Sequence, residues 1–212
     1  MPLPRVLLCC CLLVLATVPG LFGQAPSQTS NQASNLAPAP TTTPAATALE
    51  DALSGSFAGY LEYRDYSEPA TSTKRVQLPT WLTVTPTSAG LAFRYTYDDG
   101  PGKVLDERNT VILDPAKATW TEVEAGHPNQ VWHIAGLESL KSGHGTLTLT
   151  STGTDDDKPA ELRITLTVRR NLIEFLQEVR PVPTQPDSQT PFVFRHLYRF
   201  IRAAAPTPTA TR

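Results

Sequence analysis

The sequence predicts an all-β domain over residues 50–202, an antiparallel up-and-down meander of about ten strands. Two observations carry that expectation. Apolar and polar residues alternate with a period of two in segment after segment, which places aliphatic side chains on one face of a strand and polar ones on the other. The links between those segments are short and built from Gly, Pro, Asn and Asp, which suits antiparallel neighbours better than helical crossovers.

The alternation is clearest near the C-terminal end. Leu162, Ile164, Leu166 and Val168 interleave with Arg163, Thr165, Thr167 and Arg169. Leu172 to Val179 follows, and then Phe192 to Ile201, in which Phe192, Phe194, His196, Tyr198 and Phe200 share one face. Leu172, Ile173, Leu176 and Val179 also fit helical spacing; a strand is preferred because the Arg170–Asn171 link is short and a continuous meander is locally consistent.

Earlier in the chain, Glu50 to Ser54 reads as a turn of helix. Phe57 to Tyr66 is a strand with Phe57, Gly59, Leu61 and Tyr63 on one face. In Arg75 to Thr85, Pro79 removes a ladder donor and implies a bulge or an edge. Leu91 to Tyr97 places Leu91, Phe93, Tyr95 and Tyr97 in one row, and Asp98-Asp99-Gly100-Pro101-Gly102 is a turn. Lys103 to Leu113, Thr119 to Glu124, Gln130 to Ala135 and Gly145 to Ser151 are further strands. Leu137 to Ser142 is a short helical or irregular link, and Gly153 to Pro159, with Asp155, Asp156 and Asp157, is a solvated loop.

Both flanks differ from this core. Arg5 precedes an apolar run from Val6 to Val18, the pattern of a secretory signal over residues 1–23 and too short for a membrane-spanning helix. Cys9, Cys10 and Cys11 are the only cysteines, so an exported, processed chain has no disulfide and must be held by its core. Residues 24–49 contain no charged residue and are rich in Ala, Pro, Thr, Ser, Gln and Asn, a disordered linker; 203–212 reads as a short tail. The net charge of −2 and the lack of a basic patch argue against nucleic acid. The expected location is secreted or periplasmic, with no stable membrane insertion once the signal is removed.

A meander of this length must dispose of its edge strands, and closing into a barrel does so. Here the chain resembles the lipocalin and fatty-acid-binding-protein group. Gly55-Ser56-Phe57 stands at the start of the first strand, where lipocalins carry Gly-x-Trp, and Arg195 and Arg199 lie in the last strand, where that family has an Arg covering the barrel's end. Phe57 replaces the family Trp, and the family's Thr-Asp-Tyr motif is absent. The chain also resembles secreted bacterial proteins of unknown function with a lipocalin-like fold. The resemblance implies a lipocalin-like barrel and a cavity for an apolar ligand.

No catalytic, metal or cofactor signature accompanies it. His127, His133 and His144 lack metal-motif spacing, and no Gly-x-Ser-x-Gly occurs. Asp155 to Asp157 lack the ligand spacing of a calcium loop. Asp106 and Glu107, adjacent on a strand, point to opposite faces and cannot act as a dyad. Trp132 and His133 likewise cannot both point inward. The candidate ligand-binding residues are Phe93, Tyr95, Tyr97 and His133. Two readings stay open: a non-enzymatic barrel that binds an apolar small molecule inside, or an envelope or extracellular interaction module with a filled core. A hydrolase or isomerase using His133 with a carboxylate ranks third.

Overall fold

A single ladder of hydrogen-bonded strands runs right round the molecule. The computed structural model describes residues 44–65, 67–69, 72–182 and 190–203. The expected signal, residues 24–43 of the linker, the tail from 204 on and all three cysteines lie outside the described residues. In chain order the elements are α1 (Pro44–Leu53), β1 (Gly55–Arg64), β2 (Arg75–Thr87), β3 (Gly90–Asp98), β4 (Val104–Asp114), β5 (Thr119–Val123), β6 (Gln130–Ala135), β7 (Gly145–Asp155), β8 (Lys158–Arg169), β9 (Leu172–Pro181) and β10 (Val193–Arg202), with a 3₁₀ turn at Leu137–Ser139. Each strand pairs antiparallel with its sequence neighbours, and β1 pairs with β10 to close the barrel. The ten-strand meander is therefore as expected, and Leu172–Pro181 is a strand.

The barrel is apolar inside and charged outside. Leu61, Leu82, Phe93, Leu147, Leu166, Ile173 and Phe200 are buried within it. Cross-strand ion pairs lie on the outer face, including Arg163–Glu178 at 2.8 Å, Arg180–Glu161 at 2.6 Å and Arg94–Asp106 at 2.8 Å. This is the reverse of a transmembrane barrel, whose apolar face looks outward. Among the described residues no helix is long and apolar enough to cross a membrane.

One end of the barrel is plugged. Ala46, Leu49 and Leu53 of α1 are fully buried at helical spacing, and Leu49 and Leu53 join the core cluster. Pro44 opens the helix, where a missing N–H costs nothing. The folded region thus begins ahead of Glu50, inside the stretch expected to be linker. Charge-free composition hid a three-residue apolar stripe that the barrel end gives a place to pack. Gly143 sits under this plug with φ +73°, and a Cβ there would lie 2.0 Å from the Ala48 carbonyl oxygen. Arg202 ties the plug down, donating to the carbonyls of Ala52 (2.6 Å) and Ser54 (2.7 Å) while its guanidinium covers the Phe57 ring at 4.6 Å. The end-covering arginine is therefore Arg202. Arg195 pairs instead with Asp155, and Arg199 with Glu174 on the outer face.

Three local expectations need correction or refinement. Pro79 lies just before the β2–β3 ladder begins at Thr80↔Tyr97, so its missing donor falls at a local edge of an otherwise closed sheet. The expected Gly153–Pro159 loop is a tight hairpin: β7 runs to Asp155 and β8 starts at Lys158, with Asp156 (φ 49°) and Asp157 (φ 61°) as its two turn residues. Positive φ at both positions matches the twist of the flanking strands. Finally, a β-bulge at Arg195 interrupts β10, since Phe194 pairs with Glu178 and His196 with Gln177. Phe192 and Phe194 therefore leave the face that His196, Tyr198 and Phe200 share. Phe192 is flanked by the guanidinium groups of Arg163 (4.0 Å) and Arg180 (4.6 Å), and Phe194 lies under Arg75 (4.4 Å).

Candidate functional site

The half of the barrel away from α1 is filled differently from the plugged half. Inward rows of β3, β4, β5, β6, β9 and β10 bring polar groups in among the aromatic ones. Tyr95 packs against Tyr198 (ring centroids 5.3 Å apart) and Phe200 (6.3 Å), and stacks on Tyr97 at 6.2 Å. Behind this aromatic wall the Tyr97 hydroxyl donates to Glu107 Oε2 at 2.8 Å and lies 2.9 Å from the Tyr198 hydroxyl, so Tyr198 donates to Tyr97 in turn. Glu122 accepts from the Trp120 indole N–H at 3.2 Å.

These side chains surround a cavity of about 80 Å³. Phe93, Tyr95, Trp120 and Phe175 provide its aromatic wall, with Val111, Leu162 and Ile164 between them. Glu107, Asn109, Glu122, Gln177 and His196 provide the polar groups. Two buried polar atoms on this lining have no hydrogen-bond partner, the Asn109 Oδ1 and the Trp132 Nε1. Trp132 is only 3% exposed. Its indole N–H lies near enough to favour the ionised Glu122 carboxylate without meeting hydrogen-bond geometry. Buried polar groups are normally satisfied, and an exception on a cavity wall marks a place where something else supplies the partner.

The electrostatics follow from enclosure. Desolvation pushes the Glu107 carboxyl above its ordinary range and Glu124 adds to this, against the opposing effects of the Tyr97 hydrogen bond and of His127. Glu122 is raised chiefly by burial, with Glu107 and Glu124 adding to it while the indoles of Trp120 and Trp132 oppose. The charged groups that act on Glu122 are thus all carboxylates. His196 is pulled down to about 4 by burial and, secondarily, by Arg195, so it is a neutral imidazole at pH 7. The Tyr97 phenol is raised by burial and by its neighbours Tyr198 and Glu107, and stays protonated.

Of the residues singled out from sequence, Phe93 and Tyr95 line the cavity and Tyr97 supports it by holding Glu107. His133 does not join them. As the alternation requires, Trp132 takes the inward position and His133 the outer one, where it is exposed. There it lines a separate open groove with Val131, Thr150, Glu161 and Phe192. The groove lies where the β6–β7 ladder shortens to the pairs His133↔Thr150, Ile134↔Leu149 and Ala135↔Thr148. Asp106 and Glu107 part as expected, Asp106 to Arg94 outside and Glu107 inward. His127 lies 3.9 Å from Glu124, and His144 bridges to Lys141 in a surface turn. Among the described residues no group of three or more His, Cys, Asp or Glu could hold a metal ion.

Glu122, Asn109, Gln177 and His196 were not singled out as site residues from sequence. The signal was present in parity: Glu107 and Asn109 share the row of Val111, and Glu122 that of Trp120. A polar residue in the same register as buried neighbours is a polar residue inside. Comparison of the chain with family models, curated proteins and solved structures gave no match.

Proposed function

We propose that this chain is an exported, non-enzymatic binding protein that takes one small ligand in the barrel interior. The observation that carries the reading is the cavity whose wall holds the unpartnered Asn109 oxygen and Trp132 indole N–H. The signal-like N-terminus supports export, and the resemblance to lipocalin-type barrels supports binding inside. The space narrows the apolar-ligand expectation. Drug-sized ligands occupy roughly 300–1,000 Å³, so about 80 Å³ suits a molecule of a few non-hydrogen atoms with a short apolar body and polar ends. A long acyl chain is too large.

The test fills the space. Asn109→Leu replaces an unsatisfied oxygen with methyl groups and should keep or raise the melting temperature while abolishing binding of small organic probes detected by ligand-observed NMR. Binding that survives Asn109→Leu unchanged would place the ligand elsewhere.

A surface-interaction reading stands beside it, favoured by one feature of the outer face. The ladder aligns Trp81 with Ala58, Ala58 with Ile201 and Ile201 with Leu172, an apolar row over four strands. Trp81 is 47% and Ile201 54% exposed. Substituting Trp81→Ser would abolish a partner's binding under this reading and leave small-probe binding intact under the first.

A further inference from the structure

From the acceptor-rich lining of the cavity we infer that its ligand is a small organic ammonium ion carrying a hydroxyl group, an amino alcohol of about four or five non-hydrogen atoms. The inference rests on the interior-binding reading above and names the ligand class.

The polar atoms that meet in the cavity are unevenly matched. Glu107 and Glu122 bring carboxylates from neighbouring strands, and the unpartnered Asn109 Oδ1 is a third acceptor. The inward histidine, His196, is neutral and adds no positive charge. A buried carboxylate without a cation is costly, and an incoming cation removes that cost. An ammonium group has three donors and no acceptor, which is what three oxygen acceptors need. The walls are aromatic as well: Phe93, Tyr95, Trp120 and Phe175 line the space, and a desolvated cation over a ring face is attracted to it.

The Trp132 indole adds the second half of the ligand. It is a donor, almost completely buried, and meets hydrogen-bond geometry with no protein group, although it lies near the Glu122 carboxylate. A pure ammonium ion leaves it unanswered; a hydroxyl oxygen one short linker away accepts from it. Size agrees, because a water needs about 10–15 Å³ of space of this kind and the cavity of about 80 Å³ has room for several, or for one molecule of about four or five non-hydrogen atoms. No covalent step is involved.

Ethanolamine and ethylene glycol are the discriminating pair, alike in size and differing in one ammonium for one hydroxyl. Isothermal titration at pH 7 with the full chain should show saturable binding of ethanolamine and at least about tenfold weaker binding of the glycol. Glu122→Gln keeps the acceptor for Trp120 and removes the charge, so it should fold and lose at least about tenfold in ethanolamine affinity. Glu107→Gln should do the same and guards against an idiosyncratic effect of either variant on folding. Equal binding of glycol and ethanolamine, or ethanolamine affinity unchanged in both variants, overturns the inference and leaves interior binding standing. Binding of neither probe, nor of any small organic molecule, overturns both.

Discussion

Glu122 and His196 line one cavity and respond to pH in opposite senses. Glu122 and Glu107 have carboxyl groups raised above the ordinary value of 4.5. The folded state therefore holds protons that the unfolded chain releases, so their contribution is present below about 4.5 and is lost as pH rises through the raised folded values. His196 is lowered from 6.5 to about 4, so its contribution is present above 6.5 and is lost as pH falls towards 4. A shift of that size corresponds to at most about 3.5 kcal/mol, and because the residue keeps some accessible surface the loss on acidification should be about 1–2 kcal/mol. His196→Gln should flatten that acid limb in denaturant titrations; an unchanged limb would show that another group causes it. Glu122→Gln should raise stability by about 1–3 kcal/mol at pH 8, as expected for relieving an uncompensated buried polar group, and by less at pH 5. A gain that is equal at both values would mean that Glu122 carries no charge across this range.

At the level of elements, the plug helix decides where the domain begins. Leu53, the last residue of α1, has no exposed surface and belongs to the barrel's core cluster. Leu53→Ala should cost about 2–5 kcal/mol. A chain beginning at Glu50 should melt well below one beginning at Pro44, and equal melting temperatures would deny the helix its structural part. Gly143→Ala should cost about 1–3 kcal/mol, because its positive φ and the close Ala48 carbonyl both exclude a Cβ. The strands were legible in the sequence because alternation survives in almost all of them: Leu162 to Val168 reads directly as an inward row. The helix was not, since Ala46, Leu49 and Leu53 become a stripe only when the barrel end exists to receive them. The bulge at Arg195 was equally hidden, as one extra residue leaves the alternating pattern intact while exchanging its faces. For the site, the row of Phe93, Tyr95 and Tyr97 was visible, but Glu122 looks like any strand acid until its register with Trp120 is known.

At the scale of the whole molecule, a ten-strand barrel has filled one half with aliphatic side chains and a helix, and left the other half polar, aromatic and incompletely packed. A well-packed core would satisfy Asn109 and Trp132 internally, so the exception argues for an occupant. Because the only cysteines are Cys9, Cys10 and Cys11, a chain processed after residue 23 should melt at the same temperature with and without reductant; a difference would mean that the N-terminal segment is retained and cross-linked. The tryptophans offer the sharpest view of the interior, since Trp120 and Trp132 point into the barrel and Trp81 points out. The indole N–H resonances of a ¹⁵N-labelled sample report on each of them separately. On titration with ethanolamine the signals of Trp132 and Trp120 should shift together and saturate while that of Trp81 stays fixed. Interior signals that stay silent, against any ligand that moves Trp81, would contradict an interior site and give the function to the outer face.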